Sequence, residues 1–279
     1  MKIDIIHNQI QGDRDYQQDS VGERDIAGFK LLVLADGMGG YFGGEIASKI
    51  VVDTFMKHTL SDAESFLEEA LDLANEKILE YKELHDEVSN MGTTLIAVLM
   101  NDSSYRWISV GDSPLYLIQN NSITRINENH SVAGMLDIQV QRGEISEEKA
   151  LTNRNRHQLT SALVGGQIPL IEISKPYKFE INDRLILSSD GIETLSEDEI
   201  LSFMNSNTDI RAISENILKE IESKEKKNQD NATLIIASPL VDIKIEKKSK
   251  QKNKHNVLTM GIVLSLLTVS IFSIIWKLN

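Results

Sequence analysis

Apolar and polar positions change rhythm along this chain. Short runs dense in apolar and β-branched residues stand at Lys30–Ala35, Thr94–Met100, Tyr105–Val110, Leu115–Gln119, Leu185–Ser188 and Ala232–Ala237, each bounded by Gly, Asp, Asn or Pro. Runs of that length with those boundaries predict strands, and the opening residues 1–8 read as one more. Three longer stretches, Gly44–Leu60, Ser61–His85 and Ile210–Lys226, predict helices. In the second, Phe66, Leu67, Ala70, Leu71, Leu73, Ala74, Ile78 and Leu79 fall on one broad stripe. Ser61 followed by Glu64 predicts its capping box. Helices and strands are grouped rather than alternating, and the middle three strands are joined by short turns, as in a meander. That is the pattern of an α+β domain with antiparallel sheets.

Two regions depart from it. Residues 129–167 are polar and poor in strand signals, and they predict two brief helices in a surface flap between two strands. An excursion this long inside a compact domain is more often functional than idle; a purely structural excursion is the other reading. Near the far end, residues 257–276 hold no charge. As a helix they would span about 30 Å, the thickness of a bilayer's hydrocarbon, and Trp276 and Lys277 follow as interfacial anchors do. A single transmembrane helix is therefore expected in preference to a buried core helix. Residues 241–256 carry six Lys against Asp242 and Glu246, a juxtamembrane linker whose charge places the preceding body, residues 1–240, on the cytoplasmic side. The linker reads equally as a solvated spacer and as a contact for anionic lipid headgroups. The first residues lack the layout of a secretory signal.

Charge separates these parts further. Of the formal −13, the last 39 residues contribute +5, which leaves −18 on residues 1–240. So acidic a body argues against nucleic acid as a partner. The chain has no Cys, which removes disulfides, thiolate metal sites and cysteine nucleophiles and fits a reducing compartment. With only six scattered His, any metal chemistry must run on oxygen ligands, and hard cations such as Mg²⁺ or Mn²⁺ prefer those. Five acids stand at turn-like positions beside the strand runs: Asp19, Asp36, Asp112, Asp190 and Asp230. Each alone reads at least as well as a turn residue. Converging on one place, they would repel one another unless divalent cations neutralised them.

The order of the motifs adds a resemblance. Gly12-Asp13-Arg14 through Gln18-Asp19-Ser20, Ala35-Asp36-Gly37-Met38-Gly39-Gly40, Gly44-Glu45-Ile46-Ala47-Ser48, Met91-Gly92-Thr93-Thr94, Val110-Gly111-Asp112-Ser113, Asn129-His130-Ser131, Leu159-Thr160-Ser161-Ala162-Leu163, Ser189-Asp190-Gly191 and Asp230-Asn231-Ala232-Thr233 follow one another as in bacterial metal-dependent serine/threonine protein phosphatases of type 2C. Residues 1–240 resemble that family throughout. The resemblance implies a four-layer αββα sandwich of two mainly antiparallel sheets with a binuclear Mg²⁺ or Mn²⁺ centre at one edge. Asp36 would bridge the two ions and Gly37 would add its carbonyl. Asp190 and Asp230 would complete the first ion's shell, and Asp19 would act largely through bound water. Asp112 with Asp190 matches a weaker third site, and Arg14 matches the residue that binds the substrate's phosphate. The implied reaction is attack of an ion-activated water on phosphoserine or phosphothreonine of phosphoproteins, with Arg14, Asp36 and Asp190 as catalytic residues and no covalent intermediate.

Several positions differ from the family's common choices. Met38 stands where many eukaryotic members have a His proposed to protonate the leaving group, and Met carries no proton to give. Gln18 replaces a frequent acid, and Pro114 and Asn129 replace Arg and Asp. All the principal metal-binding acids are present, which favours an active enzyme over a catalytically weak phosphoprotein-binding regulator of the same fold. A membrane anchor would bring the site near membrane-bound substrates, membrane-associated Ser/Thr kinases among them.

Overall fold

The computed structural model describes residues 2–40, 42–206 and 209–240. Three strands open the chain, β1 (Ile3–Ile10), β2 (Asp19–Ile26) and β3 (Phe29–Met38), and two long helices follow, α1 (Gly43–Lys57) and α2 (Phe66–Leu84). Next come β4 (Gly92–Thr93), β5 (Leu95–Met100), β6 (Ser104–Val110), β7 (Leu115–Gln119) and β8 (Ser122–Arg125). Helices α3 (Val132–Gln141) and α4 (Glu147–Leu151) are the two brief helices expected within residues 129–167. The remainder is β9 (Glu172–Ile173), β10 (Tyr177–Lys178), β11 (Arg184–Ser188), α5 (Glu197–Ser206), α6 (Ile210–Ser223) and β12 (Ala232–Pro239). The expected linker, residues 241–256, and the expected transmembrane helix, 257–276, lie outside the described residues. Among the described residues no helix is long and apolar enough to cross a membrane.

The strands form two antiparallel sheets. One runs in the order β1-β12-β11-β7-β8; the other runs β10-β6-β5-β3-β2, with β4 beside β3 and β9 beside β6. Alternation along the strands sorts side chains onto opposite faces. In β3, Leu32 and Leu34 join Ile96, Val98, Leu185, Leu187 and Ile235 in the core between the sheets. Leu31, Val33 and Ala35 of the same strand face away and pack with Val51 and Phe55 of α1 and Leu67, Ala70 and Leu71 of α2. On the other sheet Ile186, Leu234 and Ile236 pack outward against Ile200 and Met204 of α5 and Ile213, Ile217 and Ile221 of α6. Three apolar interfaces between four layers account for the expected sandwich of antiparallel sheets flanked by helices.

The expected meander is corrected. β5 and β6 pair, but β7 pairs with β11 and β8 in the opposite sheet. The chain changes sheets between Val110 and Leu115, where Gly111 takes φ +103°, and a Cβ there would press to 2.7 Å from the Thr94 side chain. The turn carrying Asp112 thus stands where the two sheets adjoin. The capping box also differs. Helix α2 begins at Phe66, because Asp62 Oδ1 accepts from the Glu64 amide and the Asp62 carbonyl from that of Phe66. The box is built instead at α5, which the hydrophobic pattern did not predict. There the Ser196 amide donates to Glu199 Oε2 at 2.8 Å, and the Glu199 amide donates back to Ser196 Oγ at 3.3 Å.

Ile235 is 1% exposed in the core between the sheets. Ile235→Ala is expected to cost roughly 2–5 kcal/mol, read as a lower urea midpoint at unchanged slope. A midpoint equal to that of the parent chain would show that this core is not packed as described.

Candidate metal centre

The acidic positions come together where one edge of each sheet ends. Asp19 and Asp36 are direct partners in the β2–β3 ladder. The Asp36 amide donates to Thr94 Oγ1 at 3.0 Å, and its carbonyl accepts from the Thr94 amide and from Thr93 Oγ1. Asp190 follows β11, and Asp230 precedes β12, its neighbour in the other sheet. Asp36, Gly37, Asp112, Asp190, Asp230 and Arg14 all line one cavity of about 810 Å³. Asp19 is not on its lining; it lies behind, 6% exposed.

The two sheets are tied together at this point by polar groups. Asp19 Oδ2, from one sheet, accepts from Ser189 Oγ at 2.8 Å and Thr233 Oγ1 at 2.6 Å, both from the other. Its second oxygen, Oδ1, is buried with no hydrogen-bond partner among the described residues. Asn231 holds the loop that carries Arg14: its Nδ2 donates to the carbonyls of Gln11 and Tyr16, and its Oδ1 accepts from the Gln18 amide. The Gln18 side chain, at the position of a frequent acid, donates to the Gly39 carbonyl at 3.3 Å. Glycine is required at position 37, where an added Cβ would lie 2.1 Å from the Gly44 carbonyl oxygen.

Burial and mutual repulsion act on these carboxyls in the same direction. Desolvation, and then the charges of Asp19, Asp190, Asp112 and Asp230, hold Asp36 well above the usual carboxylate range. Asp190 is pushed up to about 7 by burial and then by Asp112 and Asp230. Asp19 rises to about 6, burial again outweighing the hydrogen bonds of Thr233 and Ser189. Burial also raises Asp112, against the pull of Arg125. That guanidinium donates to the Asp112 carbonyl at 2.7 Å and reaches Glu193 at 3.4 Å, linking the turn at Asp112 to the short 3-10 helix that Asp190 opens.

No three carboxylate or imidazole side chains among the described residues close into a ready-made cage for one ion. The reason is visible in their partners. Asp230 Oδ2 is paired with Arg14 Nη2 at 2.6 Å, and Asp19 is turned to its two hydroxyls. A donor set that adds the Gly37 carbonyl and water to the carboxylates does not need such a cage. Buried oxygens, an unpartnered Asp19 Oδ1 and a backbone open to close approach at Gly37 fit hard divalent cations.

A sequence profile described as Protein phosphatase 2C matches residues 11–234. The chain belongs to the protein phosphatase 2C family. It is 33% identical over 174 residues to the serine/threonine phosphatase stp of Listeria welshimeri, covering 59% of this chain and 67% of that protein. It is 30% identical over 242 residues to the serine/threonine protein phosphatase PstP of Mycobacterium tuberculosis, covering 84% of this chain and 45% of that one. A crystal structure of the catalytic domain of a PstP in complex with 2 manganese ions superposes with a TM-score of 0.70 at 27% identity, over 85% of this chain and 97% of that one.

Within this phosphatase 2C fold the motif reading located the acids but not their supports. Ser189, Thr233, Asn231 and Arg125 carry no metal-binding signature; only their places beside or within the motifs hint at them. His130 is another. Its amide donates to the Gly111 carbonyl at 3.0 Å, its Nδ1 accepts from the Gly111 amide at 3.3 Å, and its carbonyl accepts from the Thr160 amide at 2.9 Å. It therefore ties the sheet-switching turn to Thr160, beyond helices α3 and α4.

Burial, opposed by Glu128 and Glu172, holds the His130 imidazole below its ordinary value. The unfolded chain takes up this proton near pH 6.5, where the folded chain does not. Stability contributed by neutral His130 is thus complete above that pH and lost as the pH falls below it. Compared with the parent chain, His130→Asn is expected to show a pH dependence of unfolding flatter by up to about 1.4 kcal/mol per pH unit below 6.5. Parallel profiles in the two proteins would refute this.

Proposed function

We propose that this chain is a metal-dependent protein-serine/threonine phosphatase. The observation that carries the proposal is the crowding of Asp36, Asp19 and Asp190, Asp19 buried and the other two half-buried on the cavity wall, with one Asp19 oxygen unpartnered among the described residues, in a member of the protein phosphatase 2C family. The names of the Listeria and Mycobacterium relatives support the substrate class, and the manganese-bound PstP structure supports two Mn²⁺ or Mg²⁺ ions. Asp36 and the Gly37 carbonyl, with Asp190 and Asp230, would hold these ions. Asp19 would act through water, and Asp112 with Asp190 would offer a weaker third position.

When bound, the ions supply Lewis acidity at neutral pH and positive charge against the phosphoryl oxygens. The chain's own contribution is placement. Arg14 stands on the cavity wall with a planar fork that suits two phosphate oxygens. Its pair with Asp230 is half-exposed on both sides, 53% and 38%, a setting in which ion pairs contribute about 0–1 kcal/mol. An arriving phosphate can therefore recruit the guanidinium at small cost. Met38 lines the same cavity and has no proton for the departing hydroxyl, so that proton comes from another group or from water.

Manganese at a hundred times its dissociation constant adds about 2.7 kcal/mol to a fold that alone binds it. The full chain is expected to melt at higher temperature with Mn²⁺ and to release phosphate from a phosphothreonine peptide; EDTA is expected to abolish both effects. Asp190→Asn is expected to remove turnover and most of the thermal shift. A phosphopeptide left intact across Mn²⁺ and Mg²⁺ titrations would defeat the proposal.

We further propose that residues 1–240 form the phosphatase domain, with residues 129–167 as its flap, and are tethered to the cytoplasmic face of a membrane. The Lys-rich residues 241–256 would serve as the juxtamembrane linker and 257–276 as the membrane-spanning helix. Support comes from the twenty uncharged residues and the basic flank that precedes them. Membrane-associated phosphoproteins, Ser/Thr kinases included, are the substrates such a tether favours. The full chain is expected to stay with the membrane pellet through an alkaline carbonate wash, and its release into the supernatant would exclude the tether.

A further inference from the structure

A second cavity, of about 550 Å³, adjoins the first and shares Asp112, His157, Thr160 and Asp190 with it. Helix α3 of the flap contributes Met135 and Ile138, which are 54% and 48% exposed. Four further carboxylates line it: Glu128, Asp137, Glu193 and Glu197. Two of these are answered by cations, Glu193 by Arg125 at 3.4 Å and Asp137 by Arg156 at 3.2 Å. Glu128 has only the imidazole of His130 at 3.6 Å, and Glu197 makes no ion pair among the described residues.

A different kind of observation also points to a ligand. Because His130 Nδ1 accepts from the Gly111 amide, the proton of the neutral ring sits on Nε2. The His130 side chain is 3% exposed on the wall of this same cavity, and Nε2 makes no hydrogen bond of normal length among the described residues, facing Glu128 Oε2 at 3.6 Å. Thr160 Oγ1, also on the wall, is buried without a partner too. Buried donors left unsatisfied are costly and uncommon, and a peptide carbonyl would satisfy them.

We propose that this cavity receives a lysine or arginine side chain of the phosphoprotein substrate, from the stretch flanking the phosphorylated residue. The inference rests on the phosphatase reading above and adds a substrate preference to it. A long basic side chain matches the cavity twice over. Its aliphatic stem packs on Met135 and Ile138, and its charge lies between Glu128 and Glu197. The charge of −18 on residues 1–240 works the same way at longer range, since it repels acidic phosphopeptides and draws in those whose phosphate has cationic neighbours.

The test compares two phosphothreonine peptides, identical except that arginines flank the phosphothreonine in one and alanines in the other, hydrolysed by the full chain in Mn²⁺. The arginine peptide is expected to show roughly three- to tenfold higher kcat/KM, carried by KM, as two partly exposed ion pairs would give. In the chain bearing Glu128→Gln and Glu197→Gln the ratio is expected to fall close to one. Taking the ratio within each protein cancels any change in basal rate. A ratio near one in the parent chain, or a ratio that survives both substitutions, would overturn the proposal. Hydrolysis of p-nitrophenyl phosphate, which has no flanking residue, is followed alongside; its absence in the parent chain would count against the phosphatase reading instead.

Discussion

Asp19 and Asp36 are direct ladder partners, opposite each other on β2 and β3, Asp19 buried and Asp36 half-buried on the cavity wall. Like charges directly opposed on a sheet destabilise it, and burial makes both anions costlier still. The chain meets this constraint in part with its own groups. Two hydroxyls from the other sheet hold one oxygen of Asp19, and Arg14 holds Asp230. The remainder is uncompensated, which is why the carboxyls of Asp36, Asp19 and Asp190 all keep their protons to higher pH than usual. Compensation from outside the protein is what divalent cations provide.

The same constraint shapes how the layers join. Over most of their area the two sheets meet through Leu, Ile, Val and aromatic side chains, where packing is non-directional. At the acidic edge the join is directional instead: Asp19 to Ser189 and Thr233, and Asn231 to the loop of Arg14. Directional bonds fix the separation of groups from β2, β11 and β12 in a way that apolar contact does not. A site assembled from both sheets needs that precision. The sheet switch at Gly111 serves the same end by delivering Asp112 from a tight turn where the chain crosses between the layers.

Much of this was legible in the sequence, for reasons that differ by element. Buried strands such as β3, β5, β11 and β12 announced themselves by apolar density, and the paired Asp-Gly turns marked where β3 and β11 present their acids. β2 did not, because DSVGERDI alternates weakly and its edge position leaves it mostly half-buried. α5 was missed because it has only 10 residues and its apolar positions, Ile200, Leu201, Phe203 and Met204, form one short cluster instead of a stripe repeated over several turns, although the spacing of Ser196 and Glu199 carried its start signal. Which sheet β7 joins was not readable at all: a short turn is compatible with a hairpin or a crossing, and only the geometry at Gly111 decides between them. Asn231 and Arg125 were unreadable as site residues for a related reason, since their roles depend on partners more than ten positions away in sequence.

The electrostatics of the site also set what kind of substrate suits it. A phosphate carries nearly two negative charges at neutral pH, and it must approach a body with a formal −18. Cations bound among Asp36, Asp190 and Asp230 would reverse the sign locally, but their influence is screened within about 10 Å at moderate ionic strength. Beyond that distance an arriving polypeptide meets the acidic surface, including the carboxylates beneath the flap. Attraction at the centre and repulsion around it would select substrates whose charges alternate in the same order, a phosphate with basic neighbours. The fold thus uses a single chemistry, the carboxylate, for two purposes. Where it is buried and crowded it demands metal, and where it is exposed and spaced it discriminates among phosphoproteins.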